Sequence, residues 1–158
     1  MPDDLYHRDA FAWSQHQADL LRRLGRGERV NGVDGEQVAE EIEDLGLSEL
    51  NAVRSYLRLT IVHLLKIHGW PDSTTVGHWR VEVAVFRADA RSRYAPSMRQ
   101  NIDVPQLFAD VVKPLLGATY DGRPPRDLPA ICPFSLDQLL TAEPKVLETV
   151  LAAAPPEG

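Results

Sequence analysis

Apolar residues recur along most of this chain at helical spacing. In residues 8–24, Phe11, Leu20, Leu21 and Leu24 fall near one face, with Trp13 and Ala18 on its borders. That spacing predicts a helix, with Asp9 suiting its first turn and Gly25 its stop. Residues 25–35 hold four glycines and read as a loop. In residues 36–45, Val38, Ile42 and Leu45 stand at i, i+4, i+7, which predicts a short acidic helix with those three facing a core. Gly46 is read as its break, and Ser48 with Glu49 as the start of the next helix, running to about His68. From Tyr56 to Ile67 that helix is apolar nearly all round, so it is expected to be buried on most sides and central to the fold.

Residues 73–94 fit two periods. Trp79, Val81, Val83 and Val85 alternate with polar or small residues as in a strand, while Val76, Trp79, Val83, Phe86 and Ala90 fit a helix. The run is too long for a typical strand of about 5–6 residues, which favours helix. A short turn at 96–102 follows, then a helix over 104–116, with Pro105 in its first turn and Pro114 bending or ending it. Residues 117–134 form a proline-rich loop, and Ser135 caps a brief helix over 136–140. Residues 144–153 offer a last short helix, and 154–158 a loose end. The expected fold is all-α: a bundle of about four main helices plus short ones, with the apolar helix near 48–68 at its centre.

Composition narrows the function classes. At 158 residues the chain suits one domain with a real core. A single cysteine, Cys132, excludes an intrachain disulfide and a four-cysteine zinc site. The acidic start MPDDLYHRDA does not resemble a secretory signal, and no apolar run approaches the ~20 residues of a membrane span. A soluble cytoplasmic protein is expected. The glycine-rich loop lacks the P-loop pattern and follows no strand, so nucleotide binding is not indicated.

The net charge of −6 argues against a general nucleic-acid binder. The charge is uneven, however. Residues 34–50 carry seven acids and no base, and residues 80–99 carry Arg80, Arg87, Arg91, Arg93 and Arg99 against Glu82 and Asp89. The simplest expectation is that the two stretches pair with each other. A polyanion-binding strip over 80–99 is the minority reading.

Four stretches in order carry a family resemblance: DLYHRDAFAWSQHQADLLR near the start, AEEIEDLGLSEL at 39–50, LRLTIVHLLKIHGWP at 57–71 and CPFSLDQLL at 132–140. With GHWRVEV at 77–83, they resemble a bacterial family named only as a domain of unknown function, number 29. The resemblance spans residues 1–141 as one helical domain, and the tail 142–158 departs from the pattern. It implies an all-α fold, which supports the helical reading of 73–94, and it implies no activity.

Two constellations could carry chemistry. Glu40 and Asp44 stand at i, i+4, and Glu41 borders the apolar stripe. Helix carboxylates with a histidine from a neighbouring helix hold metals in bundles, so Glu41, Asp44 and His63 form a candidate site for a divalent cation. The plainer reading is a solvated acidic face with no cofactor. Arg58 and His63 have the R-x4-H spacing of a superfamily of helical ribonucleases, where arginine and histidine meet across a dimer. Histidine there works as acid and base, and arginine holds the phosphate. Fourteen arginines and five histidines make such a spacing an expected accident. The plainer reading is a snorkelling Arg58 and a hydrogen-bonded core His63.

Lys66 interrupts the apolar helix. It is expected either to snorkel or to meet Glu41 or Glu43, and Glu40, Lys66 and Arg80 form a further polar group. The leading functional expectation is a small intracellular interaction or accessory protein with an unidentified protein partner, open to forming a homodimer. The alternative is a hydrolase or nuclease-like enzyme using Glu41, Asp44, Arg58 and His63.

Overall fold

A helix over Val76–Arg93 resolves the double periodicity of that stretch. Val76, Trp79, Val83, Arg87 and Ala90 are buried, a 3.6-residue rhythm, while Val81 and Val85 of the alternating pattern are exposed. The computed structural model describes residues 2–156, and of the loose end expected at 154–158, Glu157 and Gly158 lie outside them. Every regular element among the described residues is helical: α1 (Pro2–Arg8), α2 (Ala10–Gly25), α3 (Gly35–Gly69), α4 (Val76–Arg93), a 3-10 turn (Pro96–Asn101), α5 (Val104–Leu116), α6 (Leu136–Thr141) and α7 (Pro144–Ala153). None of these is long and apolar enough to cross a membrane.

The chain divides into two compact units, Met1–Leu47 and Ser48–Gly158. In the first, α1 packs on α2. Asp9 is the cap between them, its carboxylate accepting from Ala12 N at 2.9 Å. The buried stripe of α2 is Trp13, Gln17 and Leu20. The expected stripe of Phe11, Leu21 and Leu24 is exposed instead, at 76%, 38% and 52%. Spacing alone gave two nearby faces, and the ring of Tyr6 stacks edge-on to Trp13, 5.0 Å between centroids, which marks the buried one. Gln17 is a buried amide that ties down the glycine loop. It donates to Gly32 O at 3.1 Å and accepts from Asp34 N at 2.9 Å. Gly32 there has φ +88°, a conformation that disfavours any side chain.

Gly46 does not break the helix. α3 runs unbroken from Gly35 to Gly69, and Ser48 lies inside it rather than capping a new one. The left-handed conformation that often ends a helix at glycine is absent here, since Gly46 is not among the positive-φ residues. A glycine inside a helix costs only about 1 kcal/mol, and the good helix formers around it, Leu45, Leu47 and Glu49, offset that.

The second unit holds the large core. Val53, Leu57, Ile61, Leu64 and Leu65 of α3 are at most 1% exposed, as the apolar helix near 48–68 requires. Against them lie Trp79 and Val83 of α4, Phe108 and Val111 of α5, Leu139 of α6, and Leu147 and Leu151 of α7. Asp103 caps α5, and Pro114 sits in its last turn before the stop at Gly117. The proline-rich loop is tied back at two points: Trp70 Nε1 donates to Arg123 O at 2.8 Å, and Arg126 N to Gly69 O at 2.8 Å. Ser135 and Gln138 form a reciprocal capping box at α6.

Candidate functional site

The first unit presents a helix segment that the chain leaves bare. Every residue from Ile42 to Ser48 is exposed, two full turns of α3. Ile42 is 64% exposed, Leu45 66% and Leu47 54%. The stripe Val38, Ile42, Leu45 was expected to face a core; only Val38 is half-buried. The amphipathic pattern is present, and its second half, Ile42 and Leu45, is exposed among the described residues.

Glu41 borders that stripe, while Glu36, Glu40, Glu43 and Asp44 lie about 100° or more round the helix from it. Glu41 accepts a hydrogen bond from the Tyr6 hydroxyl at 2.5 Å. That bond, with further carboxylates Asp44 and Glu40 nearby, holds the Tyr6 phenol above its ordinary range. Among the described residues Glu36, Glu40, Glu43 and Asp44 form no ion pair. Of the acidic stretch 34–50, Glu49 meets an arginine of 80–99, with Arg93 Nη1 at 3.0 Å. The other four arginines serve elsewhere. Arg80 pairs with Glu148 at 2.9 Å and Arg99 with Asp137 at 2.6 Å. Arg87 donates to the carbonyls of Leu139 and Ala142, and Arg91 to that of Leu140. Three arginine contacts thus fall on carbonyls at the C-terminal end of α6, where cations are favoured.

Arg58 and His63 sit on different faces of α3. His63 is buried, with Nδ1 bonded to Leu59 O at 2.8 Å and Nε2 facing Glu82 Oε2 at 2.7 Å. The ring thus bridges the Leu59 carbonyl of its own helix and the Glu82 carboxylate of α4. The other oxygen of Glu82 faces His78 at 3.4 Å, and the Phe86 ring lies 5.3 Å from that of His63. Arg58 is exposed, and five residues of helix turn it about 140° away from His63. Within one chain the two do not share a face. Glu41 and Asp44 belong to the first unit and His63 to the second. Among the described residues no three His, Cys, Asp or Glu side chains converge to hold a metal ion.

The further polar group Glu40, Lys66, Arg80 does not assemble either. Lys66 meets rings rather than a carboxylate: its ammonium lies 5.1 Å from the Tyr120 centroid and 5.7 Å from that of Trp79. Arg80 and Glu148 sit on the rim of a cleft of about 500 Å3 floored by Leu64, Ile67 and Leu151, beside His68, whose Nε2 bonds Asp127 O at 2.9 Å. The charged groups on this rim face one another or backbone. Cys132 is half-buried, and burial pushes its thiol up, away from the reactive thiolate.

The order of these elements and the four stretches that build them agree with one family. The model described as "Domain of unknown function DUF29" matches residues 5–143. The chain belongs to this family. No curated protein matches the chain. Among solved structures, the DUF29 chain is similar to an α-helical protein of unknown function from Rhodospirillum rubrum. The two are 29% identical with a TM-score of 0.68, over 95% of this chain and 98% of the other. The function of the family, and of that neighbour, is unknown. In this DUF29 chain the stretch AEEIEDLGLSEL forms the bare acidic turns of α3, and LRLTIVHLLKIHGWP forms its buried half.

Sequence reasoning missed three working residues. Gln17 drew no reading, Arg87 looked like one charge in a basic strip, and Glu82 like its counter-charge. A strict 3.6-residue reading of α4 would have placed Arg87 on the buried face with Val83 and Ala90, which was the available signal for a guanidinium doing structural work.

Proposed function

We propose that this DUF29 chain is a small bacterial cytoplasmic accessory protein that acts by docking to another protein through α3. One observation carries the reading: a two-turn helical segment exposed on every side that bears Ile42, Leu45 and Leu47. Large apolar side chains scattered singly over a surface need no explanation, but Ile42 and Leu45 stand at i and i+3, side by side on one face of a bare helix, in line with the half-buried Val38, and exposed apolar patches mark interaction sites. The geometry also fits a recurrent recognition mode, in which an amphipathic helix lays anchors at i, i+4, i+7 into a partner's groove.

The test is site-specific photo-crosslinking in bacterial cells. A photoreactive residue replaces Leu45 in one sample and the exposed Ala109 of α5 in a control. Discrete protein adducts are expected at position 45 and not at 109. Equal or absent labelling at both positions would remove the basis for the reading.

A further inference from the structure

The loop between α2 and α3 brings together an exposed asparagine and the one residue type that leaves its amide open to attack. Asn31 is followed by Gly32, and both are exposed. Gly32 has φ +88°, so the path of the chain itself calls for a glycine after Asn31. Among the described residues no hydrogen bond holds the Asn31 side chain or the Gly32 N–H. The next atoms along are held. Gln17 donates to Gly32 O at 3.1 Å and accepts from Asp34 N at 2.9 Å.

An asparagine amide carbon can be attacked by the backbone nitrogen of the residue that follows it. The attack needs a free amide, a nitrogen not engaged in a hydrogen bond, and no Cβ crowding the ring that forms. The chain has three asparagines, and they divide on these grounds. Asn51 lies inside α3, where its Oδ1 accepts from Arg54 Nη1 at 3.2 Å and the next residue is Ala52. Asn101 is followed by the β-branched Ile102, whose N–H donates to Arg99 O at 3.2 Å. Asn31 alone meets every condition. The Asp34–Gly35 pair nearby is disfavoured, since the Asp34 carboxylate accepts from Gln37 N at 3.3 Å and must be protonated before water can leave.

The step balances with water alone. Gly32 N bonds to Asn31 Cγ, the Cγ–Nδ2 bond breaks, and the Gly32 amide proton departs with that nitrogen as ammonia. Water then opens the cyclic imide. Opening at Cγ gives aspartate. Opening at the main-chain carbonyl gives isoaspartate, in which the backbone runs through Cβ and Cγ and gains one bond of about 1.5 Å. That bond enters directly before Gly32. The Gln17 contacts span only the usual range of about 2.7–3.2 Å, so they do not absorb it. Either product also adds a carboxylate. Residues 1–47 hold five Lys+Arg against eleven Asp+Glu, and residues 48–158 twelve against twelve, so the whole net charge of −6 already sits in the first unit.

We propose that Asn31 is a site of spontaneous deamidation in the folded protein, and that the isoaspartate formed there releases the Gln17 clamp on the loop.

The full chain and a synthetic peptide of residues 29–36 are incubated side by side at mildly alkaline pH in water enriched in heavy oxygen. Peptide mapping by mass spectrometry follows each asparagine. Asn31 is expected to lose its amide and gain one heavy oxygen at a rate within about tenfold of the peptide's, because no hydrogen bond has to open first. Asn51 and Asn101 should keep their amides, and Asn31→Gln, which would need a larger ring, should be inert. If Asn31 in the chain lags the peptide by more than that, or Asn51 or Asn101 converts as fast, the loop gives no special reactivity and the proposal falls.

The clamp is read from hydrogen exchange at the Asp34 amide in the isoaspartate fraction, separated by ion exchange. Asn31→Asp carries the added charge without the added bond. Faster exchange than wild type is expected in the isoaspartate fraction and not in Asn31→Asp. Equal exchange in all three, or equal acceleration in both modified forms, would overturn the release of the clamp by the longer backbone.

Discussion

Tyr6 reports on the acidic face it touches. Its hydroxyl donates to Glu41, and that bond holds the phenol above the ordinary value of about 10. Folding here favours the protonated phenol. The contribution is therefore fully present below the ordinary tyrosine range and is lost as pH rises through the higher, folded value. A phenolate absorbance titration, taken as the difference between wild type and Tyr6→Phe, should show Tyr6 ionising above an ordinary tyrosine. Glu41→Gln should bring it back down. If Tyr6 ionises in the ordinary range regardless of position 41, the bond contributes nothing in solution. Arg87 is the other telling residue. It is 3% exposed, and burial, with Arg91 nearby, pulls its guanidinium down from its ordinary value. Its Nε bonds Leu139 O at 2.8 Å, and Nη2 bonds Ala142 O. Arg87→Met would leave two carbonyls without that donor, and should lower unfolding free energy by about 2–3 kcal/mol in urea titration. Arg87→Lys should recover part of this, since one ammonium cannot copy the fork. A loss under about 0.5 kcal/mol for Arg87→Met would mean that water replaces the guanidinium freely.

At the scale of elements, Gly46 is the position where sequence and structure part most clearly. It lies inside α3, and a Cβ built there meets nothing within 4 Å. Gly46→Ala should therefore stabilise the chain by about 0.5–1 kcal/mol, seen as a raised thermal midpoint, and Gly46→Pro should destabilise it by about 3 kcal/mol. A drop in midpoint for the alanine variant would mean that the glycine is needed for a close approach or a bend. Most of the remaining helical order was legible because the elements carry their own period or cap: the apolar run at 56–67, the rhythm of Val76, Trp79 and Val83, Pro105 in the first turn of α5, Ser135 before α6; α1, over Pro2–Arg8, is absent from that reading. Periodicity also found the stripe Val38, Ile42, Leu45. It could not say that Ile42 and Leu45 stand exposed, because a stripe records that burial is favoured and not by what. The site residues were less legible for a related reason. That Arg58 and His63 lie on different faces follows from helix geometry alone, whereas Glu82 meets His63 only because of which face of α4 lies against α3, a tertiary fact with no local signature.

The whole molecule is electrically lopsided, and that should govern how it opens. The first unit has Trp13 and Leu20 as its buried large apolar side chains, and carries all of the −6 net charge on 47 residues. The second has the extended core and no net charge. A segment with few buried apolar contacts opens at lower free energy than a core helix. Self-repulsion lowers that free energy further in the first unit alone. Added salt shortens the screening length from about 10 Å at 0.1 M to about 3 Å at 1 M, so it relieves that repulsion. It also weakens the exposed pairs of Glu28 with Arg23 and Arg26, but surface pairs of that kind contribute little. The net effect should be stabilisation of the first unit. Hydrogen exchange read along the chain should show amides of α2 and of residues 36–47 exchanging faster than those of residues 57–65. Raising salt should slow the first group and leave the second unmoved. Because α3 is one continuous helix, this contrast would run along a single element, strongest in its core half and weakest where Ile42, Leu45 and Leu47 stand bare. Equal exchange in both halves of α3, or faster exchange of residues 36–47 at high salt, would show that charge does not set the stability of the first unit.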